Sequence, residues 1–179
     1  KLYSASQNSK RIKVLYLHEN SLKIISNTKV LKVLKKLKKD KIVKNFGVSI
    51  YYENELKFAI KNNLYNYIQI PLNLADSYFF FKYKRLLKKK KIIARSLVLQ
   101  GSLLNPNNII KLKFRLAKYL KKINSICSRH GISREELVYR FVFSLNELDY
   151  VIIGSTNQAN IKKIINFKKK NRLNNKIMK

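Results

Sequence analysis

Lys41-Ile42-Val43-Lys44-Asn45-Phe46-Gly47-Val48-Ser49 is a strand-length apolar run that closes on a glycine and a serine, and a helix-period segment, Glu53 to Asn62, follows it. In that second segment Leu56, Ala59 and Ile60 share one face. The same alternation extends in both directions. Ile12–Leu17, Ile42–Val48, Tyr67–Pro71, Lys91–Ala94 and Tyr150–Ile153 are short, nearly continuous apolar runs. Such runs are how strands buried on both faces of a parallel sheet read. Between them lie segments with helical periodicity. From Thr28 to Lys39, Val30, Leu31, Leu34 and Leu37 fall on one side and lysines on the other.

Ile109 to Arg129 is expected to form a longer helix, with Leu112, Leu116, Leu120 and Ile123 inside, ending at His130-Gly131 where glycine can take the left-handed cap. Ser133 with Glu136 three residues on spells a capping box for the next helix. A last helix is expected from about Gln158 to Phe167. The order β-α-β-α-β-α-β-α-α-β-α implies parallel strands joined by right-handed crossovers. No repeat and no Pro/Gly/Ser-rich linker interrupts it, so residues 1–179 read as one domain.

Composition bounds the function. The chain has 40 Lys+Arg against 9 Asp+Glu, a formal net charge of +31. A field of that size attracts polyanions. Lysine nevertheless greatly outnumbers arginine, the better fork for phosphates and base edges. The lysines travel with abundant Asn, Ile, Tyr and Phe, the mixture an A/T-biased coding sequence produces on any fold. Runs such as Lys88 to Lys91 and Lys168 to Lys170 read as solvated helix ends or tails, and no specific nucleic-acid partner is expected. The single cysteine, Cys127, excludes an internal disulfide and a cysteine zinc cluster, and no metal site is expected. No apolar run reaches the roughly 18 to 20 residues that cross a bilayer. No signal peptide is legible, so a cytoplasmic location is expected.

The ends of the strands carry the chemistry. His18 closes the first, Gly47-Val48-Ser49 the second, and Gln69 followed by Asn73 the third; Arg95-Ser96 closes the fourth and Gly154-Ser155 the fifth. In βα barrels the carboxyl ends of the strands form the catalytic mouth. An open doubly wound sheet would use the same ends, but no Gly-x-Gly-x-x-Gly follows the first strand. Each residue also has a plain structural role open to it: a core histidine, a helix cap, a buried amide, a turn glycine. Their recurrence at every strand end favours a site. His130, beside a helix cap, reads as structural.

Five segments in register resemble the aldo-keto reductase family. They are Val14-Leu15-Tyr16-Leu17-His18, Lys41 to Ser49, Tyr67-Ile68-Gln69-Ile70-Pro71-Leu72-Asn73, Ile93-Ala94-Arg95-Ser96 through Leu99-Gln100-Gly101-Ser102-Leu103-Leu104, and Val151-Ile152-Ile153-Gly154-Ser155. The resemblance implies a (β/α)₈ barrel, of which about five strands are present, and hydride transfer between NADP (NAD possible) and a small-molecule carbonyl. By the same resemblance His18 orients the carbonyl. Ser49 and Gln69 bind the nicotinamide carboxamide, and Arg95 replaces a stacking tyrosine. Ser96 lies along the diphosphate. Gly154, Ser155 and Thr156 open the final helix toward the adenosine 2′-phosphate, and Asn160 lies near the adenine.

Three positions depart from the family pattern. Ile50 stands where most members have Asn, Leu97 replaces a common proline, and Ile164 falls where Asn often contacts adenine. The family's Asp, Tyr and Lys belong to the first half of the barrel and have no counterpart here. Lys1 in place of Met, and a start just before the histidine strand, point to a chain lacking its front. The expectation is therefore an incomplete barrel with exposed edges, poorly soluble or molten and without reductase activity by itself. An inactive remnant, or a basic module binding nucleic acid or another polyanion, stay open as alternatives. Oligomeric state and substrate are not legible. Asp76 to Tyr83 and Asn105 to Asn108 are the loops expected near a substrate, with Tyr78, Phe79, Phe80 and Phe81 forming an apolar wall or packing on a helix.

Overall fold

The computed structural model describes residues 11–18, 21–105 and 115–173. Within them are five strands, β1 (Ile12–Leu17), β2 (Val43–Ser49), β3 (Tyr65–Pro71), β4 (Lys91–Arg95) and β5 (Tyr150–Val151). Seven helices accompany them: α1 (Leu22–Ile25), α2 (Thr28–Lys39), α3 (Glu53–Lys61), α4 (Tyr78–Leu87), α5 (Arg115–His130), α6 (Arg134–Phe143) and α7 (Gln158–Lys169). The strands form one parallel sheet in the order β1-β2-β3-β4-β5. Order in space equals order in sequence, as a βα barrel requires and a doubly wound sheet does not. The chain divides into two compact units, Lys1–Ile70 with Phe79–Ile93, and Pro71–Tyr78 with Ala94–Lys179.

In the first unit, β1 pairs with β2 through Ile12↔Val43, Val14↔Asn45 and Tyr16↔Gly47, and β2 pairs with β3 through Gly47↔Tyr67 and Ser49↔Gln69. The β2–β3 register shifts at Phe46↔Tyr65, where β3 carries one extra residue, Asn66. This bulge lets Tyr65 and Ile68, three apart, both be fully buried. The Tyr65 hydroxyl donates to the Ile25 carbonyl of α1 at 2.7 Å, and its ring packs 6.4 Å from Phe58 of α3. Burial pushes that phenol up to about 12. Asn66 Oδ1 is buried with no hydrogen-bond partner among the described residues, a local cost of the bulge.

Gly47 is required where it stands. A Cβ on it would lie 2.3 Å from the Tyr16 ring, its register partner on β1. Burial on both faces, as the continuous runs suggest, holds for β4, where Ile92, Ile93 and Ala94 are all buried, and for the end of β2, but not for β1 and β3. Fully buried Val48, Ile68 and Ile70 alternate with Tyr16, Tyr67 and Gln69, which keep partial exposure.

The helices follow their patterns. In α2, Leu34 and Leu37 are buried while Lys32, Lys35, Lys36, Lys38 and Lys39 are exposed, so the lysines occupy the solvated face. Asn27 caps its start, accepting from the Lys29 N–H at 2.9 Å. The N-terminus of α3 is closed by Glu55, whose Oε2 accepts from the N–H groups of Tyr51 (2.9 Å) and Tyr52 (3.1 Å). The aromatics Tyr78 to Phe81 belong to α4 and not to a loop. Phe80 and Tyr83 are buried, while Tyr78 and Phe81 remain about half exposed. Glu53 ties α3 to α4. It accepts from the Tyr83 hydroxyl and pairs with Lys82 at 2.6 Å and Lys57 at 3.7 Å. Lys90 donates to the carbonyls of Asn62 (2.8 Å) and Tyr65 (2.9 Å), pinning the entry to β3.

In the second unit, α5 ends at His130 with Gly131 at φ 61°, the left-handed cap expected from the sequence. Residues 109–114 of the expected helix lie outside the described residues. Ser133 caps α6, its hydroxyl accepting from the Glu136 N–H at 3.1 Å. The other half of the expected capping box is not made. Glu136 instead accepts from Arg140 at 2.6 Å and Lys170 at 2.7 Å, because two cations outbid a backbone N–H for a buried carboxylate. The stacked rings of Tyr139 and Phe167, 6.3 Å apart, join α6 to α7. The expected strand Tyr150–Ile153 is shorter, ending at Val151.

Two predictions follow from the first unit. Replacing Gly47 by Ala should lower stability by about 1–3 kcal/mol through overpacking against Tyr16, and G47A in a Y16A background should cost far less; urea midpoints of the four chains measure this. The hydrogen bonds from Lys82 and Tyr83 hold Glu53 at about 2, below its ordinary 4.5. Its contribution is then fully present above about pH 4.5 and is lost as pH falls toward 2. Glu53→Gln should flatten that acid limb, read as a wild-type-minus-variant difference in melting temperature that shrinks across this window.

Candidate functional site

The first unit places three of the expected residues at one sheet end. Tyr16, Gly47 and Tyr67 form one cross-strand row, and Ser49 pairs with Gln69 two residues further along the same face. His18 is the residue beyond the Leu17↔Val48 pair, exposed at the bend that ends β1. Ser49 is buried and level with half-buried Gln69. The Ile50 N–H donates to the Gln69 carbonyl at 3.0 Å, which locks the two strands where the row ends. Ile50, in the place of the expected Asn, is fully buried and forms core.

The second unit places the others. The Ile152 N–H donates to the Ala94 carbonyl at 2.8 Å, so Arg95-Ser96 and Ile153-Gly154 leave the sheet side by side. Arg95 Nη1 donates to Ser96 Oγ at 3.2 Å. Ser96 is exposed and sits at φ 59°, and the turn after it holds Leu99 at φ 46° and Gln100 at φ 55°. Three non-glycine residues in the left-handed region within five positions mark a backbone held by its surroundings. Leu97 and Leu103, both buried, anchor that turn.

Gly154 is exposed, with nothing within 4 Å of where a Cβ would be, so a ligand could approach the backbone closely there. Gly154, Ser155 and Thr156 do not open the last helix, however. The cap of α7 is Asn157, whose side chain accepts from the Ala159 N–H at 2.8 Å, while Ser155 Oγ accepts from the Asn157 N–H at 3.1 Å. The short Asx side chain satisfies the helix end itself, so the three preceding residues form a separate turn. Asn160 is exposed in the first turn of α7. Ile164 is buried, so its side chain packs inward.

Asn73 is the residue whose role the sequence hid. It is fully buried. Its Oδ1 accepts from the N–H groups of Ala75 and Asp76, both at 2.9 Å, and its Nδ2 donates to the Ser96 carbonyl at 3.1 Å. Asn-Leu-Ala-Asp is an Asx-turn pattern, and that signal could have found it. Nearby, Asp76 is pushed up from its ordinary value by burial, against a backbone hydrogen bond from Tyr78 and the charge of Arg95. Among the described residues no group of three or more His, Cys, Asp or Glu could hold a metal ion, and no helix is long and apolar enough to cross a membrane.

The family follows from comparison. The profile of the aldo/keto reductase family matches residues 6–179, and the chain belongs to that family. Its fold is α/β, a partial (β/α)₈ barrel. Aldo-keto reductase AKR11C1 from Bacillus halodurans superposes with a TM-score of 0.77 at 15% identity, covering 99% of this chain and 65% of that one. The glycerol dehydrogenase AKR11B4 from Gluconobacter oxydans gives 0.72 at 16% identity, covering 98% and 59%. The chain therefore spans just under two thirds of the length of these solved relatives. A search of curated protein sequences finds no match.

Asn157→Ala should remove the α7 cap and lower stability by about 1 kcal/mol, with α7 amides exchanging faster while those of β4 are unchanged; hydrogen exchange followed by mass spectrometry reads both.

Proposed function

We propose that this chain carries the carbonyl-orienting and cofactor-holding part of an NAD(P)H-dependent carbonyl reductase. The single observation behind this reading is the Ser49–Gln69 pair where β2 and β3 run out, with His18 one residue past the Leu17↔Val48 pair that ends β1. A nicotinamide cofactor would supply the hydride. The residues present fit such a group. Paired hydroxyl and carboxamide side chains on adjacent strands match the donors and acceptors of a primary amide. In the second unit, the exposed glycine turn and the Ser96 turn offer backbone close to a phosphate-bearing ligand.

His18 would donate a hydrogen bond to the carbonyl oxygen as negative charge develops there. Ser49 and Gln69 would fix the carboxamide and so the face presented to the substrate. Arg95 would lay its planar guanidinium beside the nicotinamide ring. Ser96, Gly154, Ser155 and Thr156 would line the diphosphate and 2′-phosphate, with Asn160 toward the adenine. NADP is the favoured cofactor, with NAD possible, and the protein would work in the cytoplasm on a small-molecule carbonyl.

We further propose that the acid, the lysine and the aspartate of the reaction come from residues outside these 179. An apolar cleft of about 400 Å³ in the second unit supports this. Leu145, Leu148, Tyr150, Val151, Ile153 and Ile165 line it along the last strand of the sheet. Tyr150, Ile152, Ile153 and Ile165 remain well exposed. A missing βα segment of the barrel would cover such a face.

Expression with and without the coding sequence upstream of Lys1 tests both parts. The longer product should oxidise NADPH in the presence of aldehydes, and His18→Ala in it should lower kcat by about 10²-fold or more with little change in cofactor affinity. The 179-residue chain alone should be inactive. Activity indifferent to His18, or carbonyl reduction by the 179 residues alone, would sink the reading.

A further inference from the structure

Resting on the reading of Ser96 given above, we propose that Asn73 is a positioning residue for the cofactor's diphosphate, acting through the Ser96–Leu97 peptide. Asn73 cannot touch a ligand, since it is fully buried. Its effect runs through the backbone. Its Oδ1 and main chain close a tight turn on Ala75 and Asp76: the Asn73 N–H donates to the Asp76 carbonyl at 2.9 Å and the Asp76 N–H to the Asn73 carbonyl at 3.2 Å. The Leu72 N–H donates to the Arg95 carbonyl at 3.0 Å, which fastens this turn to the end of β4. From that rigid base Asn73 Nδ2 reaches the Ser96 carbonyl at 3.1 Å.

The consequence is geometric. In a trans peptide the carbonyl and the following N–H point in opposite directions. No cis peptide is present among the described residues, so a Ser96 carbonyl held toward Asn73 aims the Leu97 N–H away from it. Ser96 keeps its left-handed φ of 59° because its carbonyl is held from two sides, by Asn73 and by the Leu99 N–H at 3.3 Å. The Leu97 side chain is buried and fixes the other end of the peptide. Leu97, in the place where the family resemblance expects proline, contributes an N–H that proline would lack. The peptide is therefore a preset donor for an anionic oxygen, and the turn need not reorganise when a diphosphate arrives.

Asn73→Ser tests this in the full-length polypeptide. Serine can still accept from the Ala75 and Asp76 N–H groups but is too short to reach the Ser96 carbonyl. Leu103→Ala is the control. It removes buried packing under the same turn without touching the peptide. Three readouts are taken on both variants: melting temperature, affinity for ADP-ribose (diphosphate) against nicotinamide mononucleotide (no diphosphate), and hydrogen exchange of the Leu97 amide. Asn73→Ser should weaken ADP-ribose about tenfold, leave nicotinamide mononucleotide within about twofold, and selectively speed exchange at Leu97. Leu103→Ala should lower the melting temperature without that discrimination. Equal losses for both nucleotides, or unchanged exchange at Leu97, would overturn the role of Asn73. If the unaltered polypeptide binds neither nucleotide, the cofactor reading fails instead, and Leu97 exchange in Asn73→Ser still decides whether Asn73 sets this peptide.

Discussion

The Tyr16 ring lies across Gly47, and the site residues of the first unit depend on that contact. Parallel strands have no tight hairpin turn to fix their register, so side-chain fit must do it. Here the bare backbone at Gly47 receives the ring, which sets β1 against β2. Ser49 follows two residues after Gly47 on the same face, and His18 comes one residue after the last β1–β2 pair, Leu17↔Val48. The extra residue Asn66 then resets β3, so that Gln69 meets Ser49 while Tyr65 turns into the core to hold the Ile25 carbonyl. A slip of one residue in either pairing would put these side chains on opposite faces.

The second unit meets a similar need by polar means. Its turn at Ser96 places three non-glycine residues in the left-handed region, an arrangement that persists only where neighbours impose it. Asn73 supplies one restraint through its side-chain amide, and Leu97 and Leu103 supply the apolar ones. The helices α6 and α7 are joined by the Tyr139–Phe167 stack and by Glu136, where the pull of Lys170 and Arg140 exceeds the penalty of burial and keeps the carboxyl below its usual range.

The positive charge belongs to the surface more than to the site. On α2 the lysines take the face opposite Leu34 and Leu37, as amphipathic spacing dictates. Where a lysine is drawn inward it has a structural task. Half-buried Lys90 holds two backbone carbonyls; Lys82, though exposed, holds the carboxylate that joins α3 to α4. None of these lysines belongs to the Ser49–Gln69 pair or its β1 neighbour.

Much of this was legible along the chain. Periodicity alone locates Ile12–Leu17 and Thr28–Lys39 with the bounds the structure shows, because each run has one pattern and clear flanks. Polar residues ending apolar runs mark His18, Ser49 and Gln69, since strand ends are a local property. What escaped was set by contacts between distant residues. The stretch Asp76 to Tyr83 reads as a loop, yet Tyr78 to Phe81 begin α4, which buries Phe80. Glu136 fits a capping box by spacing, yet Lys170, distant in sequence, claims its carboxylate. Asn73 looked like one more polar residue at a strand end. Its task depends on the Ser96 carbonyl, 23 residues away, and only the fold brings donor and acceptor together.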